Sequence, residues 1–390
     1  MRVPLLDLTR DDPETTADLR AAFERVLLSG QFVLGPDVEL MERECADYLG
    51  AGHAIGVSSG TDALIVALMA LGIGPGDEVI CPTYTFFATA GAIWRMGARP
   101  VFVDSDERTL QIAPERVAAA VGPRTRAIIP VHLFGACADL DPILAVAVPA
   151  RVPVVEDAAQ AVGSRYRERA AGTIGAIGCF SFVPTKNLGC LGDGGLVTSQ
   201  DADLADRIRV LRVHGMRPKY YHETVGANFR IDTLQAAFVR VRLTRLDAAA
   251  EARRRNAVAY RHALTAAEVV GELDEDRGPG ASERRHIVLP AGGDDVGHTY
   301  NQFVIRVRGP VGSRDGLRAH LAAAGVGSEV YYPVPLHLQR CFASLGHAAG
   351  DFPIAERAAA ETLALPIFPG LRGDELACVV TAIVDWCRQS

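Results

Sequence analysis

Between residues 54 and 156 the chain alternates five short apolar runs with stretches of helical period. The runs lie at 54–57, 78–81, 100–104, 127–131 and 152–156, with helices predicted at 61–71, 85–96, 114–121 and 140–146. A near-continuous run such as Val152-Pro153-Val154-Val155 suits a strand buried on both faces, as parallel strands are. A helix after each strand supplies the crossover, so the pattern predicts a doubly wound α/β layer.

Around this layer the chain reads as an entry arm with helices at 13–28 and 36–48. Two short strands at 175–182 and 194–198 flank a loop, and a helix follows at 202–211. A long Ala- and Arg-rich helix is expected over 232–264, and a polar loop or hinge over 271–295. The tail reads as strand 302–307, helix 314–324, strand 328–332 and helix 352–363, a smaller α+β unit. At 390 residues the chain exceeds one hydrophobic core, and the division is expected near 245: a large domain at 1–245, a small one at 246–390.

Composition narrows the function. A net charge of −7 argues against nucleic acid as a partner, because phosphate contacts need a basic surface. No apolar run is long enough for a membrane span, and the first residues have no signal-peptide core. The eight cysteines form no C-x-x-C pair and show no zinc-like spacing with histidine. They read as free thiols in a reducing cytoplasm, with no metal expected.

Five segments carry chemistry, four of them at predicted strand ends where open α/β sheets bind ligands. Lys186 sits in the small-residue, apolar segment 179–195, where a desolvated amine forms Schiff bases. Ser58-Ser59-Gly60-Thr61-Asp62 opens a helix, which suits an anion as well as an ordinary N-cap. The overlapping Gly56-Val57-Ser58-Ser59-Gly60 matches G-x-S-x-G, a hydrolase signature, but no oxyanion loop accompanies it. Phe86 follows a strand and suits stacking on a flat ring, or plain core packing. Asp157 ends a buried strand beside Glu156, so it suits a protonated ring nitrogen or a helix cap. Ser181 lies five residues before Lys186. An aldehyde for Lys186, a phosphate for Thr61 and Ser181, a ring for Phe86 and a pyridine nitrogen for Asp157 together describe pyridoxal phosphate.

In these segments the chain resembles the DegT/DnrJ/EryC1/StrS sugar aminotransferases, which have the type I aminotransferase fold. Further markers are Gln160, Gly226-Ala227-Asn228-Phe229-Arg230-Ile231-Asp232 and Tyr331-Tyr332-Pro333-Val334-Pro335-Leu336-His337. The resemblance implies that Lys186 carries the Schiff base and Asp157 pairs with the pyridine nitrogen. Phe86 then stacks on the ring, and Gln160 lies near its hydroxyl. Thr61, Ser181 and the backbone at Gly60 hold the phosphate. It implies a homodimer in which Asn228 reaches the neighbouring subunit's phosphate and Arg230 contacts a sugar nucleotide. Tyr331, Tyr332 and His337 are its candidate substrate residues. The implied reaction moves an amino group from L-glutamate, or glutamine, to a 3-oxo sugar on UDP or dTDP. A C-4 aminotransferase and a non-catalytic protein of this fold are the alternatives. Many relatives carry Ser or Tyr where this chain has Phe229, which leaves the local pocket shape open.

Overall fold

The computed structural model describes residues 1–273, 286–291 and 297–389. The chain opens with α1 (Pro13–Ser29) and α2 (Pro36–Leu49), each with proline in its first turn. Both stop at a left-handed glycine, Gly30 at φ 65° and Gly50 at φ 69°, a conformation that costs glycine nothing.

The alternating region follows: β1 (His53–Val57), α3 (Gly60–Ala70), β2 (Glu78–Pro82), α4 (Ala88–Arg95), β3 (Arg99–Val103), α5 (Pro114–Ala120), β4 (Thr125–Ile128), α6 (Leu140–Ala147) and β5 (Val155–Asp157). A small hairpin of β6 (Arg165–Tyr166) and β7 (Arg169–Ala170) leads to β8 (Ile177–Ser181), β9 (Gly195–Ser199) and α7 (Ala202–Leu211). The strands β3, β2 and β4 are parallel, as are β5 and β8, whereas β9 runs antiparallel to both β8 and β1. Parallel bridges Ile128↔Val154 and Val131↔Asp157 join the two groups. The resulting order is β3-β2-β4-β5-β8-β9-β1, the mixed sheet of the type I aminotransferase fold. The apolar run of β1 reads like its parallel neighbours yet pairs antiparallel, because burial on both faces sets composition and not direction. Against the sheet lies α3, whose residues 63–68 are all buried, so it packs on nearly every side.

The helix expected over 232–264 is two helices, α8 (Thr233–Leu243) and α9 (Leu246–Ala266). Arg245 between them has φ −112° and ψ 0°, and the Thr244 hydroxyl turns back to the Val241 carbonyl at 2.8 Å. Neither residue is a glycine or proline that would announce a break. We take the division of the chain to fall here.

The C-terminal part holds β10 (His286–Val288), β11 (Phe303–Arg308), α10 (Ser313–Ala323), α11 (Pro353–Glu361), β12 (Thr362–Leu365) and α12 (Gly373–Arg388). An antiparallel sheet β10-β11-β12 packs with α9, α10 and α12 around Tyr260, Phe303, Leu321, Val379 and Ile383. Val3 joins this cluster and bridges Val326, so the entry arm crosses to the C-terminal part.

Three expectations here are corrected. Within the polar stretch 271–295, His286–Val288 is a strand, and most of the remainder lies outside the described residues. The helix expected to reach 363 stops at Glu361, because Thr362–Leu365 pairs with β11. The strand expected at 328–332 is only an isolated bridge, Glu329↔Ala364. Tyr332 of this stretch packs instead beside Tyr84 and Phe86, at the ends of the parallel layer.

Candidate active site

Adjacent residues of a strand point to opposite faces. At the end of β5 this separates two carboxylates. Glu156 is fully buried and accepts from His132 Nε2 at 2.8 Å and from the backbone N–H groups of Gly172, Ile174 and Gly175 at 2.7, 2.7 and 2.6 Å. Burial pushes its carboxyl up, but His132 and these donors outweigh that and hold it below its ordinary value. Asp157 faces the other way. It accepts from the Thr89 hydroxyl at 2.8 Å and from the Ala159 N–H at 3.3 Å. Burial dominates there and raises its pKa, with Thr89, Ala159 and the Lys186 charge opposing.

Lys186 lies in the loop between β8 and β9. Phe182 and Leu188 anchor that loop in the core, and the Phe182 N–H to Gly194 and Cys190 N–H to Phe182 bonds close it. Burial lowers the lysine pKa to about 8, with the Asp157 charge opposing. An amine in that range is a good nucleophile and proton carrier near neutral pH.

β8 also ends at Ser181, directly against the start of α3. A Cβ at Gly60 would come within 2.7 Å of the Ser181 Cβ, so only glycine permits this approach. Thr61 is exposed at that helix start, among the free N–H groups that suit a phosphate. Ser59 serves as N-cap, accepting from the Asp62 N–H at 3.0 Å. The Ser58 hydroxyl donates to Asp62 at 2.6 Å and not to a histidine base, the partner that a G-x-S-x-G nucleophile needs.

Phe86 precedes α4 and is 56% exposed, its ring centroid 6.0 Å from that of Tyr332. Gln160 accepts from the Phe134 N–H at 2.6 Å and donates to the Tyr332 hydroxyl at 3.1 Å. One amide N–H of Gln160 is thus engaged by Tyr332, and the second remains available to a ligand. The Tyr84 hydroxyl donates to the Tyr331 carbonyl and holds the same segment.

His337 is corrected. It is 2% exposed, with Nδ1 2.9 Å from the Thr83 hydroxyl and Nε2 3.1 Å from Glu356. Both ring nitrogens are occupied by protein, so His337 braces the 331–337 segment against the end of β2 and is not presented to a ligand.

Asn228 and Arg230 flank Phe229 on an extended segment that runs beside β1. Arg230 bridges Val57, and the Ser58 N–H donates to the Phe229 carbonyl at 2.9 Å. Asn228 is exposed, whereas Phe229 is buried in the main core. The departure at Phe229 therefore points away from the surface that Asn228 and Arg230 form.

Sequence reasoning missed Thr83, Tyr84, Thr89 and His132. Thr85 and Thr89 stand at i and i+4 within the helix expected from residue 85, which was the only local sign of Thr89.

A desolvated amine, a partly satisfied carboxylate at the end of the adjacent strand and a helix N-terminus that glycine brings against Ser181 fit pyridoxal phosphate; Lys186, Asp157 and the Gly60–Thr61/Ser181 cradle are the residues that would hold it. Fold and site together define a pyridoxal-phosphate-dependent aminotransferase. Residues 13–384 match the profile of the DegT/DnrJ/EryC1/StrS aminotransferase family, and the chain belongs to that family. It is 44% identical over 388 residues to a Geobacillus stearothermophilus protein named pleiotropic regulatory protein, covering 100% of this chain and 99% of that one. It is 42% identical over 388 residues to the Streptomyces venezuelae dTDP-3-amino-3,4,6-trideoxy-alpha-D-glucose transaminase, covering 100% and 97%. It is 40% identical over 381 residues to the Acidithiobacillus ferrooxidans UDP-N-acetyl-3-dehydro-alpha-D-glucosamine 3-aminotransferase, covering 98% and 97%. The solved structure of S. venezuelae DesV superposes with a TM-score of 0.90 at 42% identity, covering 100% of this chain and 99% of that one.

Among the described residues no group of three or more His, Cys, Asp or Glu could hold a metal ion. No described helix is long and apolar enough to cross a membrane.

Proposed function

We propose that this enzyme transfers an amino group from L-glutamate to C-3 of a 3-oxo sugar carried on UDP or dTDP, in aminosugar biosynthesis. The observation that carries the reading is the Lys186 amine, poised at about 8 and opposite a carboxylate that protein donors leave partly unsatisfied. The position on the sugar follows relatives named for 3-amino and 3-dehydro sugars on both nucleotides.

Each residue has a task. The bound cofactor supplies an electron sink next to the reacting carbon. Lys186 binds it, then moves a proton at that carbon as base and acid. Asp157 holds the ring nitrogen and keeps a proton on it. Phe86 covers the ring face, and the α3 N-terminus with Thr61 and Ser181 orients the phosphate. Tyr331 and Tyr332 line the sugar side, and Arg230 meets the nucleotide.

The reading includes a homodimer, with Asn228 completing the partner's phosphate site. Phe23, Leu27, Leu28, Phe32, Val33 and Leu34 on and after α1 are all exposed, an apolar strip that suits burial against a second copy. Eight cysteines, none in a disulfide, fit a cytoplasmic protein.

The test is a panel of 3-oxo and 4-oxo sugar nucleotides with glutamate or glutamine, with product position read by NMR. Turnover of 4-oxo sugars alone would overturn the C-3 assignment. A 44%-identical relative named as regulatory motivates one further check, that glutamate changes the visible spectrum of the loaded protein. An unchanged spectrum would favour a non-catalytic role.

A further inference from the structure

The start of α4 brings a second group to Asp157 that the reaction outlined above does not use. We infer that Thr89 is a positioning residue for the cofactor: its hydroxyl fixes Asp157 as an oriented carboxylate facing the pyridine nitrogen. The inference rests on the assignment of Asp157 to that nitrogen.

Thr89 is fully buried, and its hydroxyl lies 2.8 Å from Asp157 Oδ2. Opposite an ionised carboxylate a hydroxyl acts as the donor. Thr85 is the other hydroxyl in reach, at a long 3.4 Å. Thr89 is the second residue of α4, before the helix has a turn of its own carbonyls for a side chain to bond back to. Here the side chain bonds across to β5 instead. Thr89 thus takes up one lone pair of Oδ2, and the Ala159 N–H one of Oδ1. The carboxylate cannot rotate without breaking both, so its remaining lone pairs keep one direction.

The charged and titratable groups that act on Asp157 are Lys186 from the loop after β8, His132 from the segment after β4, Cys179 on β8 and Tyr332 from the 331–337 segment. None of them donates a hydrogen bond to the Asp157 side chain among the described residues, so Thr89 is its one side-chain donor. Without that donor the buried carboxylate is more basic, so with the cofactor bound it would leave the ring nitrogen less protonated, and the visible band would titrate at higher pH. The Thr89 N–H also reaches the Phe86 carbonyl at 3.4 Å, so one helix start sets both the ring face and the carboxylate.

The experiment compares wild type, Thr89→Val, Thr89→Ser, Asp157→Asn and the Thr89→Val/Asp157→Asn pair. Three quantities are read: pyridoxal phosphate affinity of the cofactor-free protein, pH titration of the bound cofactor's visible band, and melting temperature. A lost hydrogen bond to a charged group predicts about tenfold weaker binding in Thr89→Val and an upward move of about one unit in the band's titration. Thr89→Ser should restore both to near wild type, and Thr89→Val should add nothing in the Asp157→Asn background. A lowered melting temperature with unchanged titration would mean a structural role and overturn the inference. An additive effect in the double variant would overturn it too. A wild-type protein with no visible band would instead overturn the underlying site assignment.

Discussion

Glu156 and Asp157 are neighbours with the same chemistry and opposite surroundings. On one face of β5 a histidine and three backbone N–H groups saturate Glu156, and the loop at 172–175 folds onto it. On the other face Asp157 has two donors and a nearby lysine. The first arrangement organises the fold. The second leaves a charge whose stabilisation depends on a ligand. A carboxylate that protein donors satisfy in full has little left to offer a cofactor, so only the less satisfied one is available for chemistry.

Substitutions break this comparison in different currencies. Lys186→Ala should cost the most activity, about 10³-fold or more in kcat, measured by single-turnover kinetics with glutamate. The cofactor-free variant should melt at a higher temperature than wild type at pH 7, because a buried amine held at about 8 opposes folding when charged. Glu156→Gln should cost about 3–5 kcal/mol of stability in urea unfolding, since it leaves buried partners mismatched. Asp157→Asn should do the reverse: activity falls by about 10²-fold or more, while the melting temperature of the cofactor-free protein holds or rises. Equal stability losses at 156 and 157 would erase the distinction.

Acidity sharpens the contrast further. The Glu156 contribution is present above its unfolded value near 4.5 and is lost as pH falls through its lower native value. The Asp157 contribution is present below 3.8 and is lost as pH rises through its higher native value. For the cofactor-free protein, Lys186 adds stability as pH rises from about 8 toward 10.5. Denaturation midpoints across pH for wild type, Glu156→Gln and Asp157→Asn should separate these opposed slopes. The smallest effect is expected for Glu356→Gln, about 1 kcal/mol, because His337 keeps its bond to Thr83. Its sugar KM should move little if His337 braces the segment and does not touch the substrate.

Much of this molecule was legible before its structure. Strand–helix alternation marked the large sheet, and Asp157, Gly60 and Ser181 stood at strand ends where ligands bind, with Lys186 in an apolar loop nearby. The 328–337 segment was not legible. Tyr332 reads as an aromatic in an alternating run, yet its hydroxyl meets Gln160, 172 positions away. His337 reads as a pocket residue, yet Thr83, 254 positions away, fills its ring nitrogen. The strand β12 was hidden behind a helical pattern because its partner β11 decides its state.

By itself the sequence determined the kinds of groups on offer: one lysine in an apolar loop, hydroxyls and glycine at a helix start, two carboxylates closing a buried strand. Local patterns carry such information because strand and helix periods repeat every few residues. Tertiary structure decided which carboxylate is free, that Thr89 supports it, and that His337 is a brace. Those outcomes depend on partners more than sixty positions apart in the chain for Thr89 and Asp157, and far more for His337. Hydrogen-bond satisfaction and desolvation arise only when the folded chain brings such groups together and excludes water.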